Sequence, residues 1–392
     1  MKICLLTCSA PFLIDEKVFP PLGLMGVGTA LRLQGNEVSI ADSPDDSMYF
    51  GLGPTTPEYA DALSILRQIK SQNTSSRVVI GGPHATANPT ECLADGFDVV
   101  AVGDGERITA ATFLASGVVD LGRGRLDEYP ITDRSLMEIR GFRYEIGGNL
   151  ATTIVTSRGC PYRCGFCANT ERQVRYYSIE RIEREVRYLR DEWGYTALMI
   201  FDDLFILDKD RALRICAVLD RCGMLWRCFV RGDLVVRHGR ELVDVMATSG
   251  CIEVAIGIES GSDRILKVIR KGEDTGTIRQ AIKMLHAAGI RVKGLFIVGL
   301  PGENPNSIDE TRRFIEEVPL DDADFTIFQP YRGSPIWNNR NEYDILWDHV
   351  PAGQRFYKGR PGQYRCGVST SRLSSDDILA ARDNLEGRFR CR

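Results

Sequence analysis

Ser157-Arg158-Gly159-Cys160-Pro161-Tyr162-Arg163-Cys164-Gly165-Phe166-Cys167 is the stretch on which the reading of this chain turns. It places three thiols within eight residues, directly after the apolar run Thr153–Thr156. Thiolates spaced so closely on a strand-end loop can wrap one soft metal centre. Pro161, Gly159 and Gly165 keep the loop out of a helix and let backbone amides face the sulfurs. A tetrahedral zinc site would ask for a fourth Cys or His close by, and none is near in sequence. A cluster held by three protein thiolates leaves one iron open to another ligand. Buried or zinc-binding cysteines are the competing reading.

The sequence around this loop alternates strands and helices. Strand candidates are Thr153–Thr156, Ala197–Phe201, Trp226–Val230, Ile252–Gly257, Val292–Val298 and Phe325–Gln329. They recur at about 30 residues per unit, the length of a βα repeat. The intervening helices are amphipathic: Ile179, Ile182, Val186 and Leu189 share one face, as do Ile278, Ile282 and Leu285. Six such units predict a partial (β/α)6 barrel over residues 151–337, with its site at the carboxyl ends of the strands.

The CxxxCxxC spacing after the first strand of a partial barrel resembles the radical S-adenosylmethionine (SAM) superfamily. That resemblance implies a [4Fe–4S] cluster on Cys160, Cys164 and Cys167, with SAM chelating the fourth iron. Reductive cleavage of SAM then yields a 5′-deoxyadenosyl radical that takes hydrogen from a substrate. It places Phe166 near the adenine and Asp202-Asp203, at the end of the second strand, near the SAM amino group. Asp202 and Asp203 are also expected to take part in catalysis. Arg231, at the end of the third strand, is expected to pair with the SAM carboxylate, which suits a bidentate fork. Glu259 and Ser260, in Gly257-Ile258-Glu259-Ser260, resemble the family's GIES motif at the ribose and methionine end of SAM. Leu300-Pro301-Gly302-Glu303 and Gln329-Pro330-Tyr331-Arg332-Gly333-Ser334-Pro335 are similar to its fifth- and sixth-strand turns.

A second alternating region covers residues 1–115. Its strands, Lys2–Thr7, Glu37–Ala41, Met48–Leu52, Arg77–Gly81 and Phe97–Val102, predict a doubly wound, Rossmann-like parallel sheet. Pro20-Pro21-Leu22-Gly23-Leu24, Gly81-Gly82-Pro83-His84 and Gly103-Asp104-Gly105-Glu106 resemble the cobalamin-binding domain that precedes many radical SAM barrels. There is no DxHxxG signature for a histidine axial ligand, and His84 is the single histidine here. Only residues 42–47 join Ala41 to Met48, too few for the helix of a usual parallel crossover. That predicts an uncovered sheet face or a displaced third strand, and it leaves cobalamin open. Residues 116–150 read as a linker and 338–392 as a polar C-terminal extension with one helix from Ser375 to about Leu385.

Charge is nearly balanced over 392 residues, with 49 Lys+Arg against 53 Asp+Glu. No broad basic face follows, so nucleic acid is not an expected partner. No apolar run reaches the ~18 residues needed to span a membrane. The N-terminal run reads as a buried strand rather than a signal peptide, and twelve cysteines without a disulfide pattern suit the cytoplasm. The expected function is radical SAM chemistry on a small natural product, leading to dehydration, deoxygenation or epimerisation. The acids at the barrel mouth suggest an aminosugar, and the layout is similar to the radical SAM diol-dehydratase of aminoglycoside biosynthesis. Epimerases of the superfamily use a cysteine as hydrogen donor, a role open to Cys366 or Cys391. The alternative is a cobalamin-dependent radical SAM methyltransferase. Flavodoxin or ferredoxin is the expected electron donor, and a partner reductase could complete the reaction.

Overall fold

The computed structural model describes residues 1–10, 13, 15–169, 171–347, 357–359 and 364–389. The chain divides into two units, Met1–Arg143 and Tyr144–Arg392.

The first unit is one parallel sheet of six strands: β1 (Lys2–Leu6), β2 (Glu37–Ala41), β3 (Tyr49–Leu52), β4 (Arg77–Ile80), β5 (Val99–Gly103) and β6 (Gly117–Gly122). Their order is β2-β1-β3-β4-β5-β6. Helices α1 (Leu22–Leu33) and α2 (Tyr59–Gln72) lie on opposite faces. Leu31 of α1 packs with Ile3, Leu5, Val79 and Val99. Ala62, Ile65, Leu66 and Ile69 of α2 pack with Cys4, Leu6, Phe50 and Val78. The chain therefore changes sides between β1 and β3, and such a switch point opens a crevice at the carboxyl edge. Short helices α3 (Gly82–Ala87), α4 (Pro89–Ala94) and α5 (Ala110–Leu114) complete the unit.

Of the two outcomes predicted for the short link after β2, the structure shows the first: no helix lies between β2 and β3, and no residue of β2 is fully buried. The third strand is not displaced: β3 pairs with β1 in register from Ile3↔Tyr49 to Leu6↔Leu52. Instead of a helix, polar link residues reach the strands they cross. Asp46 pairs with Lys2, and Ser39 hydrogen-bonds Asp45 at 3.4 Å. By alternation, Lys2 and Ser39 share a face with Cys4, so the α2 side of β2 is small and polar where other strands are apolar.

The second unit is a curled half-barrel. Strand β7 (Tyr144–Ile146) pairs antiparallel with β8 (Asn149–Ile154) across Gly147-Gly148. Both glycines have positive φ, as a two-residue hairpin turn requires. Strands β9 (Ser157–Arg158) and β10 (Arg175–Tyr176) form a small ladder of their own. Then α6 (Ile179–Asp191), β11 (Ala197–Ile200), α7 (Lys209–Arg221), β12 (Leu225–Val230), α8 (Gly232–Thr248, kinked at Gly239) and β13 (Cys251–Glu259) follow. Next come α9 (Asp263–Val268), α10 (Thr275–Ala287), β14 (Arg291–Val298), α11 (Pro305–Glu317) and β15 (Asp322–Ile327). The sheet order is β15-β14-β13-β12-β11-β8-β7, with every neighbouring pair from β8 to β15 parallel. Strands β12, β14 and β15 alternate between buried and more exposed positions, whereas β11 is buried throughout.

Residues 116–150 are not a bare linker, since they supply β6 to the first sheet and β7 and the start of β8 to the second. The C-terminal part has α12 (Pro335–Asn338), the β16 (Leu346–Trp347) and β17 (Val368–Ser369) ladder, and α13 (Ser375–Phe389). Helix α13 is longer than expected and begins on Ser374, whose Oγ accepts from the Asp377 amide at 3.1 Å. It covers the edge strand β15: buried Arg382 donates to the Phe325 carbonyl at 2.9 Å. An edge strand covered in this way cannot pair with another chain.

Candidate functional site

The cysteine loop is an excursion whose base is closed by the β9–β10 ladder, Ser157↔Tyr176 and Arg158↔Arg175. Inside it, the Cys160 amide donates to the Glu171 carbonyl at 2.9 Å and the Cys167 amide to the Cys164 carbonyl at 3.1 Å. The loop is also pinned from outside. Gly165 donates to Ile269 and accepts from the Ile336 amide. A Cβ on Gly159, where φ is +98°, would sit 2.7 Å from the Gln173 carbonyl, so only glycine fits.

Cys164 is buried, while Cys160 and Cys167 are half-buried. Burial pushes the Cys160 and Cys167 thiols up, and both also feel the charge of Cys164. The Asn169 amide points at Cys167 Sγ, 3.4 Å away. Among the described residues, no three Cys, His, Asp or Glu side chains converge as a single ion demands. A cubane takes one thiolate per iron and needs no such convergence. The loop could hold that cluster.

Asp202 does not face a substrate. It is buried, and its carboxylate accepts from the amides and hydroxyls of both Thr156 and Ser157. The expected catalytic acid is thus the clamp that ties the end of β11 to the start of the cysteine loop. Asp203 lies at the surface, with Oδ2 accepting from the Gly159 amide at 3.1 Å and from Asn169 Nδ2 at 2.9 Å. It is the member of the pair that borders the cysteines from outside.

Arg231 is also committed. Nη1 lies 3.6 Å from Cys164 Sγ, Nε donates to Asp233 at 3.0 Å, and Nη2 donates to the Lys271 carbonyl at 2.8 Å. Its guanidinium lies 3.9 Å over the ring of Tyr162, which stands between the first two cysteines. Glu259, at a positive φ of 67° on a bulge of β13, accepts from buried Lys271 at 2.9 Å. Ser260 shares a hydrogen bond with Thr311 at 3.3 Å. These three were expected to touch SAM; the structure gives each a partner within the protein. The acids at the barrel mouth are therefore not in surplus, and their number no longer argues for a cationic substrate.

Glu303 belongs to the same pattern. It is buried, and Oε2 accepts from the Gly299 amide at 2.7 Å and the Leu300 amide at 3.2 Å. Burial pushes its carboxyl up to about 8. The folded protein then keeps a proton that the unfolded chain, with a carboxyl near 4.5, releases. Stability contributed here is present below pH 4.5 and is lost as pH rises towards 8. Glu303→Gln is expected to raise the melting temperature at pH 8.5 and leave it nearly unchanged at pH 4.5, with a difference of at most a few kcal/mol. Melts across that range check this; parallel curves for the two proteins would contradict it.

Phe166 lines a cavity of about 210 Å³ together with Ile297, Thr326, Phe328, Gln329 and Tyr331. Cys366 is not offered to any substrate: it is buried and its thiol donates to the Val368 carbonyl at 3.2 Å. That corrects its expected role as hydrogen donor. Cys391 lies outside the described residues. Sequence reasoning gave Tyr162 of the loop no role and missed Lys271 and Glu273, which no spacing rule joins to Arg231 and Glu259.

At the carboxyl edge of the first unit, glycines let backbone pack on backbone after β4 and β5. A Cβ on Gly82 would lie 3.0 Å from the Gly53 backbone, and one on Gly103 2.5 Å from the Gly122 carbonyl. A rim built from backbone fits a broad, flat macrocycle. It offers no imidazole, since His84 is buried, stacked 3.8 Å from the Tyr59 ring, with Nδ1 3.2 Å from Thr56 Oγ1. Asp104 is not free for a ligand either: it accepts from Tyr129 Oη at 2.5 Å and the Gly124 amide at 3.1 Å.

Comparison with known proteins agrees with both halves. The model of the Radical SAM superfamily matches residues 154–315, and that of the B12 binding domain matches residues 51–112. An uncharacterized methyltransferase, PH0819 of Pyrococcus horikoshii, is 29% identical over 81% of this chain and 78% of its own length. Cytidylyl-2-hydroxyethylphosphonate methyltransferase of Streptomyces wedmorensis is 31% identical over 54% of this chain, which covers 43% of that protein. The chain spans about half the length of other curated relatives too. The radical SAM methyltransferase TsrM of Kitasatospora setae, solved with cobalamin and a [4Fe–4S] cluster bound, superposes with a TM-score of 0.69. It shares 16% identity, over 93% of this chain and 84% of its own, and so speaks to the fold alone.

Proposed function

Because the chain joins a radical SAM domain to a B12-binding domain, we propose that it is a cobalamin-dependent radical SAM methyltransferase acting on a small natural product. The observation that carries this reading is the intact first sheet. With β3 seated against β1, the switch-point crevice and its glycine rim survive the short link that had left cobalamin open. A relative that matches over 81% of the chain is named as a methyltransferase. The dehydration and epimerisation readings have no such support, and of the two cysteines named as hydrogen donor for the second, Cys366 is buried.

When bound, the cofactors supply reductive cleavage of SAM at the cluster and carriage of a methyl group on cobalt. The chain's own part is to hold and shield. Cys160, Cys164 and Cys167 ligate three irons. Asp203, fixed by Gly159 and Asn169, receives the SAM amino group beside them, and Phe166 takes the adenine in its apolar cavity. The glycine rim of the first unit accepts cobalamin without a histidine. A flavodoxin or ferredoxin in the cytoplasm supplies electrons.

The test is incubation of the reconstituted enzyme with trideuteromethyl SAM, a low-potential donor and candidate acceptors. A product carrying the trideuteromethyl group supports the proposal. A product lighter by one water, formed with 5′-deoxyadenosine and no label, would move the assignment to dehydration.

A further inference from the structure

Beneath the cysteine loop lies a set of mostly buried charges, of which Asp233 is half-buried and also lies 4.0 Å from exposed Arg237. Arg231 and Lys271 are the cations; Asp233, Glu259 and Glu273 are the anions. Both cations and Glu259 are more than nine-tenths buried, and the Glu273 side chain is fully so. Glu273 holds the set together: Oε2 accepts from the Asp233 amide at 3.0 Å, and Oε1 lies 3.5 Å from Lys271 Nζ and 3.7 Å from Arg231 Nη2. A buried guanidinium is costly without partners. This one divides its nitrogens between a carboxylate, a carbonyl and the sulfur of Cys164. Tyr162 closes the arrangement, with its ring under Arg231 and its hydroxyl 3.3 Å from Asp233.

From this geometry we infer that Arg231 is a positioning residue that sets the reduction potential of the cluster through its hydrogen bond to Cys164. The inference rests on the cluster reading above. Hydrogen bonds to the sulfurs, and charge beside them, set the potential of an iron–sulfur cluster. A cation donating an N–H to the thiolate stabilises the state with one more electron, so it makes reduction easier. Glu273 and Lys271 keep the guanidinium from swinging to solvent. The SAM carboxylate would then be held by other groups.

The test uses the full-length enzyme, reconstituted with iron and sulfide and free of SAM. Wild type, Arg231→Met and Arg231→Lys are titrated with reductant and followed by electron paramagnetic resonance, while SAM affinity is measured separately. Arg231→Met is expected to lower the reduced-to-oxidised ratio about tenfold at a fixed poise, equivalent to about 59 mV for one electron. Arg231→Lys, which keeps the charge but not the fork, is expected to shift it less and in the same direction; it carries the test if the Met variant fails to fold. SAM affinity is expected to stay within about twofold. An unchanged potential in both variants, with SAM affinity lost, would overturn the inference and return Arg231 to the SAM carboxylate. Wild-type enzyme with no reducible iron would instead overturn the cluster reading itself.

Discussion

Replacing Cys164 by alanine is expected to abolish iron binding, from about four irons per chain to under one, with the far-ultraviolet circular dichroism unchanged. On the proposed reading the three thiolates of this short loop are the cluster's protein ligands, so the loss of one would remove a third of its protein bonds. The loop itself should survive. Its shape comes from the Ser157–Arg158 ladder, from Gly159 and from the bonds of Gly165 to Ile269 and Ile336, none of which uses a sulfur. Cys160→Ala and Cys167→Ala are expected to behave alike. Cys222→Ala is the control: Cys222 is the cap residue after α7, and its loss should leave iron content untouched. Iron retained in Cys164→Ala would mean that the ligands lie elsewhere.

The second large effect is at Asp202. Its carboxylate is buried and takes four hydrogen bonds, two from Thr156 and two from Ser157. Asp202→Ala strands those donors in a site closed to water. At about 1–3 kcal/mol for each buried group left without a partner, the loss is on the order of several kcal/mol. Asp202→Asn keeps the shape but can accept at one oxygen only, so it should cost less. The order wild type > Asn > Ala is expected both in chemical denaturation and in iron retained after reconstitution, because the clamp fixes the entry to the cysteine loop. Equal iron in all three would show that the loop holds its shape without Asp202.

Much of this was legible in the sequence. The parallel strands are apolar runs such as Ala197-Leu198-Met199-Ile200, which is buried throughout, and a strand buried on both faces has no other way to be written. The cysteine spacing is local, so three candidate ligands could be proposed without a fold. The roles of Asp202, Arg231, Glu259 and Ser260 were not legible. A strand-end motif says that a polar side chain is near the mouth, but not whether it turns to the ligand or to the protein. Arg231 turns to Cys164, 67 residues away in sequence, and Glu259 turns to Lys271. The short link after β2 was half legible. Its length was counted correctly, yet only the structure shows Asp45 and Asp46 of the link paired with Ser39 and Lys2.

The central claim is that one chain holds both an iron–sulfur cluster and cobalamin. The most direct measurement is iron and cobalt per chain after anaerobic reconstitution with iron, sulfide and cobalamin, followed by desalting. About four irons and one cobalt, with cobalt retained in Cys164→Ala while iron is lost, is the expected result. Four irons with no cobalt would contradict the claim: the first unit would then be a sheet without its cofactor, and methyl transfer through cobalamin would fall.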